Sequence, residues 1–474
     1  MRNRFLKLKV FFVAACHGGW RRHPETNKNR HKRFAQHIGS PRRGVFMVIT
    51  GVMFCFFACQ PSGDGTSPNV EVNKIQSNLE RNLSPNLEAG DLNQLVEGNT
   101  AFALDLYHAV KGDLGNFIFS SHSISAAFAM TYAGARNNTE MQMAQTLHFN
   151  LPRERLHASF NALDLELNSR GQGGETNEGT DFKLNIVNAA WTQDGYPFLQ
   201  DFLDLLAVNY GAGMYILDFV SDPEGSRQTI NNWVARETED KIKDLLPPDS
   251  IDGLTRLVLT NAIYFYGAWS IPFDEDLTET GNFYLADGDV VSVPMMSHFS
   301  ENGEKFSAVV LDGYTAVELP YKGDEISMLI LVPDRGRFFE IEQALDAKMI
   351  EDTVKSLAPW GLRLKMPKFK YESKFELKDT LSQMGMPEAF DPDLADFTGM
   401  TALRELVIDE AYHQGFISVD EKGTEAAAAT AVVITLTGAG TPLNITIDRP
   451  FIYLIRDMQT DAILFMGRVM NPEE

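Results

Sequence analysis

Cysteine is almost absent from this chain of 474 residues, and its three cysteines, Cys16, Cys55 and Cys59, all lie near the N-terminus. Residues 60–474 contain none, so this part of the chain forms no internal disulfide and offers no thiolate to a zinc ion. The spacing of Cys55 and Cys59 does not fit a Cys-x-x-Cys redox pair. Apolar residues make up 44% of the chain, so we expect a large packed core to stabilise the fold.

Signatures of catalytic sites are also missing. The chain has no Gly-x-Ser-x-Gly, His-Glu-x-x-His, phosphate-loop or Gly-x-Gly-x-x-Gly pattern. The six histidines after residue 44 show no metal-ligand spacing; they are His108, His122, His148, His157, His298 and His413. We therefore predict that the protein is not an enzyme and that it binds no metal or other cofactor.

Basic residues are scarce beyond the N-terminus. Residues 1–44 hold 12 Lys and Arg and one acidic residue, whereas the remaining residues hold 30 basic and 63 acidic ones, a net charge of −33. An acidic body of this kind disfavours nucleic acids and anionic membrane surfaces as partners.

The N-terminal region has the pattern of a leader. Residues 45–59 are apolar or small and follow Arg42 and Arg43, and a run of this length fits a signal-peptide core better than a membrane span. The end of the run resembles a bacterial lipoprotein signal with Cys59 as the lipidated residue, although Phe56 stands where leucine is usual. A plain secretory signal and an uncleaved anchor are the alternatives. We expect a protein outside the cytoplasm, whether secreted, periplasmic or anchored by lipid at the cell surface.

Three segments follow from this pattern. Residues 1–59 are predicted to be the leader, and residues 1–40, with four histidines and little periodicity, are alternatively an artefact of the gene model. Residues 60–91 are rich in Asn, Ser, Pro, Gly and acids, which predicts a disordered tether. Helical periodicity resumes near Leu92, so residues 92–474 are the predicted folded domain.

The most distinctive stretch is residues 415–437. Four alanines, at positions 426–429, follow Gly423, Thr424 and Glu425, and a β-branched run follows the alanines. At period two, one face of this stretch is free of charge and Glu425 falls on the other; the uncharged face consists of Thr424, Ala426, Ala428, Thr430, Val432, Ile434 and Leu436. Alanine favours helix, whereas the β-branched run favours strand. A short helix, an edge strand and a loop that becomes a buried strand all fit these residues.

Motifs on both sides of this stretch decide between these structures, because in order they resemble the serpin family over about 380 residues. The motifs that carry the resemblance are Asn116-Phe-Ile-Phe-Ser120-Ser-His-Ser123-Ile-Ser125, Asn188-Ala-Ala-Trp191, Asn261-Ala-Ile-Tyr-Phe-Tyr-Gly267-Ala-Trp269, Val293-Pro-Met-Met296, Leu319-Pro-Tyr321, Leu331-Val-Pro-Asp334, Pro367-Lys-Phe-Lys-Tyr371, Ala395-Asp-Phe-Thr-Gly399, Arg449-Pro450-Phe-Ile-Tyr453 and Ile463-Leu-Phe-Met-Gly467-Arg-Val-Met-Asn471-Pro472. One position departs from the family pattern, since Ser121 stands where proline is usual.

The resemblance implies an α+β fold with three β-sheets, eight or nine helices and an exposed reactive-centre loop. It also implies inhibition of serine endopeptidases by a suicide-substrate mechanism. The protease cleaves the loop and forms an acyl-enzyme, and the loop then inserts into the main sheet as a new strand. A non-inhibitory carrier, chaperone or storage serpin, and an inhibitor of papain-like cysteine proteases, are the alternatives.

Each segment of the loop has an implied role. The hinge that enters the sheet first consists of Glu421, Gly423, Thr424, Glu425, Ala426, Ala427, Ala428 and Ala429. Counting forward from the hinge places the reactive bond between Thr437 and Gly438, preceded by the specificity residue Leu436; counting back from Pro450 places it between Ala439 and Gly440. No Lys or Arg occurs between Thr424 and Ile447, so we predict elastase-like or subtilisin-like targets.

The resemblance further implies a cluster at the place where the sheet opens, formed by Ser120, Ser123, Asn261, His413 and Trp269. A structural histidine and a large core tryptophan are the ordinary interpretations of the last two, and both interpretations are compatible with this role. Three acidic residues, Glu154, Asp164 and Glu166, balance Arg153, Arg155 and Arg170, so no heparin-type activation is expected. The expected partner is a target protease bound as a covalent acyl complex to a serpin monomer.

Overall fold

The computed structural model describes residues 6–13, 73–75, 77–112, 115–170, 175–176, 179–180, 182–212, 214–237, 240, 243–299, 306–424 and 442–473. In this part of the chain there are nine α-helices: α1 Asp91–Val110, α2 Ser121–Tyr132, α3 Asn137–Thr146, α4 Arg153–Asn168, α5 Gln200–Tyr210, α6 Pro223–Glu237, α7 Phe338–Ala344, α8 Ala347–Ser356 and α9 Leu377–Met384. None of the described helices is long and apolar enough to cross a lipid bilayer.

The same residues contain 21 β-strands, numbered along the chain: β1 Leu6–Val13, β2 Lys74–Ile75, β3 Phe117–Phe119, β4 Glu175–Thr176, β5 Gly179–Thr180, β6 Phe182–Gln193, β7 Met214–Leu217, β8 Thr255–Ala268, β9 Glu279–Tyr284, β10 Val290–Phe299, β11 Phe306–Leu311, β12 Tyr314–Pro320, β13 Ile326–Pro333, β14 Ala358–Trp360, β15 Leu362–Pro367, β16 Phe369–Glu376, β17 Leu406–Val419, β18 Gly423–Thr424, β19 Leu443–Thr446, β20 Phe451–Asp457 and β21 Ile463–Val469.

Three large sheets and a two-stranded ribbon, β4–β5, organise these strands. The main sheet runs β16-β17-β1-β8-β6-β7-β2, and β18 lies between β17 and β8 at one end. The second sheet runs β14-β11-β12-β13-β20-β21-β3, and the third runs β19-β15-β10-β9. The predicted α+β fold, with three sheets and eight or nine helices, is confirmed.

The core lies around the middle of the second sheet. Every residue of β13, β20 and β21 is buried, as expected for strands covered on both faces. Charged side chains buried in this core form arginine–carboxylate pairs, including Arg468 with Glu342 at 2.7 Å and Arg456 with Glu318 at 2.9 Å. Removing one partner of such a pair leaves an uncompensated buried charge, which costs about 3–5 kcal/mol.

Helix α2 is buried along its whole length and lies behind the main sheet. It begins at Ser120, whose Oγ accepts a hydrogen bond from the Ser123 N–H at 3.2 Å. This serine cap satisfies one of the N–H groups that a helix start leaves without an intrahelical partner. Ser125 and Thr131 also turn their hydroxyls to internal acceptors, so a fully buried helix can contain polar residues.

The predicted tether of residues 60–91 is shorter than expected, because the structure holds its second half against the domain. Lys74 and Ile75 pair with β7 at the edge of the main sheet, and the Lys74 ammonium lies 4.2 Å from the Tyr215 ring. Arg81 forms an ion pair with Asp164 of α4 at 2.6 Å. The prediction overlooked these contacts because each one joins residues more than 80 positions apart.

Candidate functional site

The main sheet is open between β8 and β17, and a strand from the N-terminus lies in the opening. Residues of β1 pair in parallel with both neighbours, so that Leu8 lies opposite Leu257 and Ile408. Strand β1 reaches only as far as Ala262 of β8, and β18 enters the same opening at the other end of β8. The opening therefore accepts an additional strand.

Strand β1 falls within the predicted leader, residues 1–59, which stays a prediction. Removal of the leader would withdraw β1 from the opening. The space would then run alongside most of β8 and β17, each of which is 14 residues long. At about 3.3 Å per residue, this is a slot of roughly 45 Å.

The described part of the hinge is already paired as a short strand in this opening. Thr424 lies opposite Val419 of β17 on one side and Gly267 of β8 on the other. Thr424 is 5% exposed, and its hydroxyl lies 2.8 Å from the Tyr321 hydroxyl. Gly423 and Thr424, from the predicted hinge, therefore form a short strand between β8 and β17.

Gly423 allows the chain to enter at this point. A Cβ atom at this position would lie 2.0 Å from the Gly267 carbonyl oxygen, so no larger residue fits without moving β8. Backbone hydrogen bonds hold the residues just before it, with the Trp269 N–H donating to the Lys422 carbonyl at 2.7 Å and the Phe273 N–H donating to the Glu421 carbonyl at 2.8 Å.

Trp269 lies at the end of the opening where β18 pairs with β8. Trp269 is 1% exposed, and its indole stacks on the Tyr321 ring with 4.6 Å between centroids. Its Nε1–H donates to the Asp420 carbonyl at 3.0 Å, immediately before the hinge. Trp269 thus contacts the residue just before the predicted hinge and is also a large core residue.

Glu421 fixes the start of the hinge by charge. Its carboxylate, with the side chain 6% exposed, pairs with Lys368 at 2.6 Å and accepts a hydrogen bond from the Thr278 hydroxyl at 2.6 Å. Burial acts to raise the pKa of Glu421, but the hydrogen bonds from Lys368 and Thr278 outweigh burial and hold that pKa below its usual value. Glu421 is therefore ionised at neutral pH, and its contacts with Lys368 and Thr278 hold the start of the loop in place.

Farther along the opening, the structure brings together part of the predicted cluster. His413 of β17 is buried, and its Nε2 accepts a hydrogen bond from the Ser120 N–H at 2.9 Å. The Ser120 Oγ donates to the Leu464 carbonyl at 2.8 Å, so the start of α2 joins β17 to the second sheet. Ser123 belongs to the same helix start. The Asn261 backbone lies on β8 in the same region, but its side chain falls outside the described residues.

Acid is expected to destabilise the fold, because three buried histidines, His413 of β17, His122 of α2 and His157 of α4, must stay neutral. Burial lowers the pKa of His413 to about 3 and of His122 to about 4, and burial together with nearby Arg153 lowers the pKa of His157 to about 3. The unfolded chain takes up these protons near pH 6.5, so their stabilisation is present above pH 6.5 and is lost as pH falls toward 4.

Each of these histidines is expected to cost about 2 kcal/mol of unfolding free energy between pH 7.5 and pH 5. Urea denaturation at the two pH values measures the combined loss for the three histidines. The variant His413→Gln should reduce that combined loss by about a third. An unchanged pH dependence in that variant would show that His413 does not contribute.

Several predicted residues lie outside the described part of the chain. These are Cys59, Glu425, Ala426, Ala427, Ala428, Ala429, Leu436, Thr437, Gly438, Ala439 and Gly440. Sequence reasoning also overlooked three residues that hold the hinge, Tyr321, Lys368 and Thr278. Tyr321 and Lys368 fall within motifs that carry the family resemblance, but no local pattern indicates that either contacts the hinge.

Comparison with known proteins points to the same family as the sequence motifs and the geometry. A family model described as Serpin (serine protease inhibitor) matches residues 97–472. An uncharacterized serpin-like protein of Methanosarcina acetivorans is 38% identical over 382 residues, which cover 80% of this chain and 86% of the relative. The leukocyte elastase inhibitor of Homo sapiens is 36% identical over 397 residues, which cover 80% of this chain and 100% of the relative.

Two solved structures have the same fold. The thermophilic serpin tengpin in its native state superposes with a TM-score of 0.70 at 28% identity, covering 84% of this chain and 97% of tengpin. Thyroxine-binding globulin in complex with thyroxine superposes with a TM-score of 0.68 at 30% identity, covering 80% of this chain and 100% of the globulin.

Proposed function

The chain belongs to the serpin family, and from that premise we propose that it inhibits serine endopeptidases as a suicide substrate rather than acting as a catalyst. The observation that carries the proposal is the hinge, which is already paired between β8 and β17 at Thr424. A loop that begins as a strand in an open sheet can continue into that sheet once it is cut.

Chain length supports this mechanism. Residues 424–437, from the hinge to the preferred reactive bond, number 14, and β8 and β17 are also 14 residues long. A loop cleaved after Thr437 would therefore fill the opening from end to end. The serine of the protease, joined to Thr437 as an ester, would be carried along the sheet by roughly 45 Å before water can release it.

Small residues make this insertion fast. Ala426 and Ala428 follow Thr424 on the uncharged face of the loop, so the residues that enter between the strands first carry no bulky or charged side chain on that face. This hinge opposes the alternative of a non-inhibitory carrier, although the thyroxine complex of thyroxine-binding globulin is an example of a serpin fold that binds a small ligand.

The proposed targets are elastase-like or subtilisin-like proteases. The reactive segment offers Leu436 and Thr437 and lacks any cation that would suit a trypsin-like pocket. A relative named leukocyte elastase inhibitor is in keeping with this choice. Inhibition of papain-like cysteine proteases is the alternative.

The proposal includes no heparin-type activation. The arginines of residues 153–170 are engaged in ion pairs, Arg153 with Glu140 at 2.6 Å, Arg155 with Glu88 at 3.0 Å and Arg170 with Asp457 at 2.7 Å. Binding of a sulfated polysaccharide there would have to compete with these carboxylates.

We also propose an extracytoplasmic monomer with Cys59 as a lipid anchor, which mass spectrometry of the mature N-terminus tests.

Incubation of residues 60–474 with pancreatic elastase, subtilisin and papain tests the function directly. We expect a covalent complex with elastase or subtilisin that survives denaturing gel electrophoresis. A complex with papain alone would support the cysteine-protease alternative. Clean cleavage by all three proteases, with no complex, would contradict inhibition.

The leader provides a second test, because β1 occupies the opening that the cleaved loop needs. A chain that keeps residues 1–59 is expected to be cleaved as a substrate more often than residues 60–474. The stoichiometry of inhibition, measured as moles of serpin consumed per mole of inactivated elastase, should then be several-fold higher for the longer chain. Equal stoichiometries would show that β1 does not block insertion.

A further inference from the structure

The third sheet is close to the reactive bond along the chain. Only residues 438–442 separate Thr437 from Leu443, where β19 begins. Five extended residues span at most about 18 Å, and the alternative bond after Ala439 shortens this distance to about 11 Å. On the other side, 13 residues separate Thr424 from the reactive bond, so the short connection determines where a docked protease lies.

A protease bound at either bond therefore lies within about 18 Å of β19, the edge strand of the sheet β19-β15-β10-β9. Residues after the cleaved bond occupy the primed side of a protease cleft, and these residues continue directly into β19. The protease surface beside that primed side must consequently lie near the exposed face of β19 and its neighbour β15.

Two cations stand on that exposed face next to β19. Arg363 and Lys365 alternate with buried residues along β15 and are both exposed. Their register places Arg363 opposite Asn444 and Lys365 opposite Thr446 of β19. On the other side of β15, Arg363 lies opposite Phe299 of β10, and its guanidinium is 5.5 Å from the Phe299 ring.

These cations differ from most others in the described part of the chain. Among the described residues, neither Arg363 nor Lys365 has a carboxylate within 4.0 Å, whereas Arg335 and Arg449 nearby both pair with Asp448. Phe299 is 37% exposed and adds an apolar surface beside the two charges. The chain after residue 44 carries a net charge of −33, so a local positive surface of this kind stands out.

We propose that Phe299, Arg363 and Lys365 form a docking surface for an acidic patch beside the primed side of the target protease. This inference rests on the proposed inhibitory function and adds to it a source of selectivity outside the reactive bond. Opposite charges at such a surface accelerate association, and the acceleration decreases as salt screens them. The residues at the reactive bond then select proteases by the substrate pocket of the protease. This surface selects among those proteases by the charge of the protease surface that it contacts.

The test uses residues 60–474 with the double substitution Arg363→Glu and Lys365→Glu. Pancreatic elastases of two charge classes, one anionic and one cationic, are the probes. For the anionic elastase we expect the second-order association rate constant to decrease about ten-fold at 50 mM salt and much less at 500 mM. The rate constant for the cationic elastase should stay the same or increase.

A matched control changes net charge equally without touching this surface. Lys348 and Lys355 of α8 are 75% and 67% exposed, and the variant Lys348→Glu with Lys355→Glu makes the same charge change on a different layer. It should leave the association rate constant of the anionic elastase within about two-fold of the parent value.

The outcomes separate the two proposals. Absence of a covalent complex between the parent chain and either elastase would contradict the inhibitory function, and the docking surface with it. Complex formation at equal rates for the parent and the Arg363 and Lys365 variant would contradict the docking surface alone. An equal decrease with the α8 variant would assign the effect to overall charge and also contradict it.

Discussion

Replacing Thr424 by arginine is expected to convert the inhibitor into a substrate. Thr424 lies between β8 and β17, is 5% exposed, and has its hydroxyl against the Tyr321 hydroxyl. A guanidinium at this position cannot be buried there without a partner, so the hinge would stay outside the sheet and insertion would stall. The protease then has time to hydrolyse the acyl-enzyme.

We expect the yield of covalent complex with elastase to decrease at least ten-fold, with cleaved serpin taking its place on a denaturing gel. The matched control is Glu425→Arg, because period-two alternation places residue 425 on the solvent face of the inserted strand. That variant should keep most of the complex. Equal yields for Thr424→Arg and the parent chain would mean that the loop does not need to enter at this point.

Replacing Glu421 by lysine is expected to destabilise the native state. The substitution removes the ion pair with Lys368 and the hydrogen bond from Thr278, and it places two ammonium groups together beside the hinge. Because Lys368 is 36% exposed, solvent screens part of the effect, and we expect a loss of about 2–3 kcal/mol in the free energy of unfolding. Urea denaturation at pH 7.5 measures this loss.

A charge swap distinguishes the ion pair from a general effect of the substitution. The double variant Glu421→Lys with Lys368→Glu restores opposite charges at the same two positions and should recover at least half of the lost stability. If the double variant is as unstable as the sum of the two single variants, the pair between residues 421 and 368 does not hold the hinge.

Local patterns predicted the parts of this site that lie close together along the chain. Period-two alternation placed Thr424 on the uncharged face of the loop, and the structure pairs its backbone with a strand on each side and buries the residue. The motif from Asn116 to Ser125, which carries part of the family resemblance, contains Ser120, and the structure shows that this serine caps the start of α2. Both follow from backbone geometry over a few residues.

The remaining contacts of the site could not be predicted in this way because they join distant residues. Thr424 contacts Tyr321, which is 103 positions away along the chain, and Glu421 contacts Thr278, which is 143 positions away. Nothing in the composition of residues 6–13 indicates that they pair with β8 and β17. Likewise, the polar composition of residues 73–91 suggested disorder, whereas specific partners on β7 and α4 hold them.

The central claim is that the cut loop becomes a new strand between β8 and β17, and the thermal stability of the cleaved protein tests this claim most directly. Residues 60–474 are cut in the loop by a catalytic amount of a protease that forms no covalent complex with the chain, and the melting temperature is compared with that of the uncut chain. A strand of 14 residues with a partner on each side should raise the melting temperature by more than about 10 °C. An equal or lower melting temperature after a cut between residues 436 and 440 would contradict insertion.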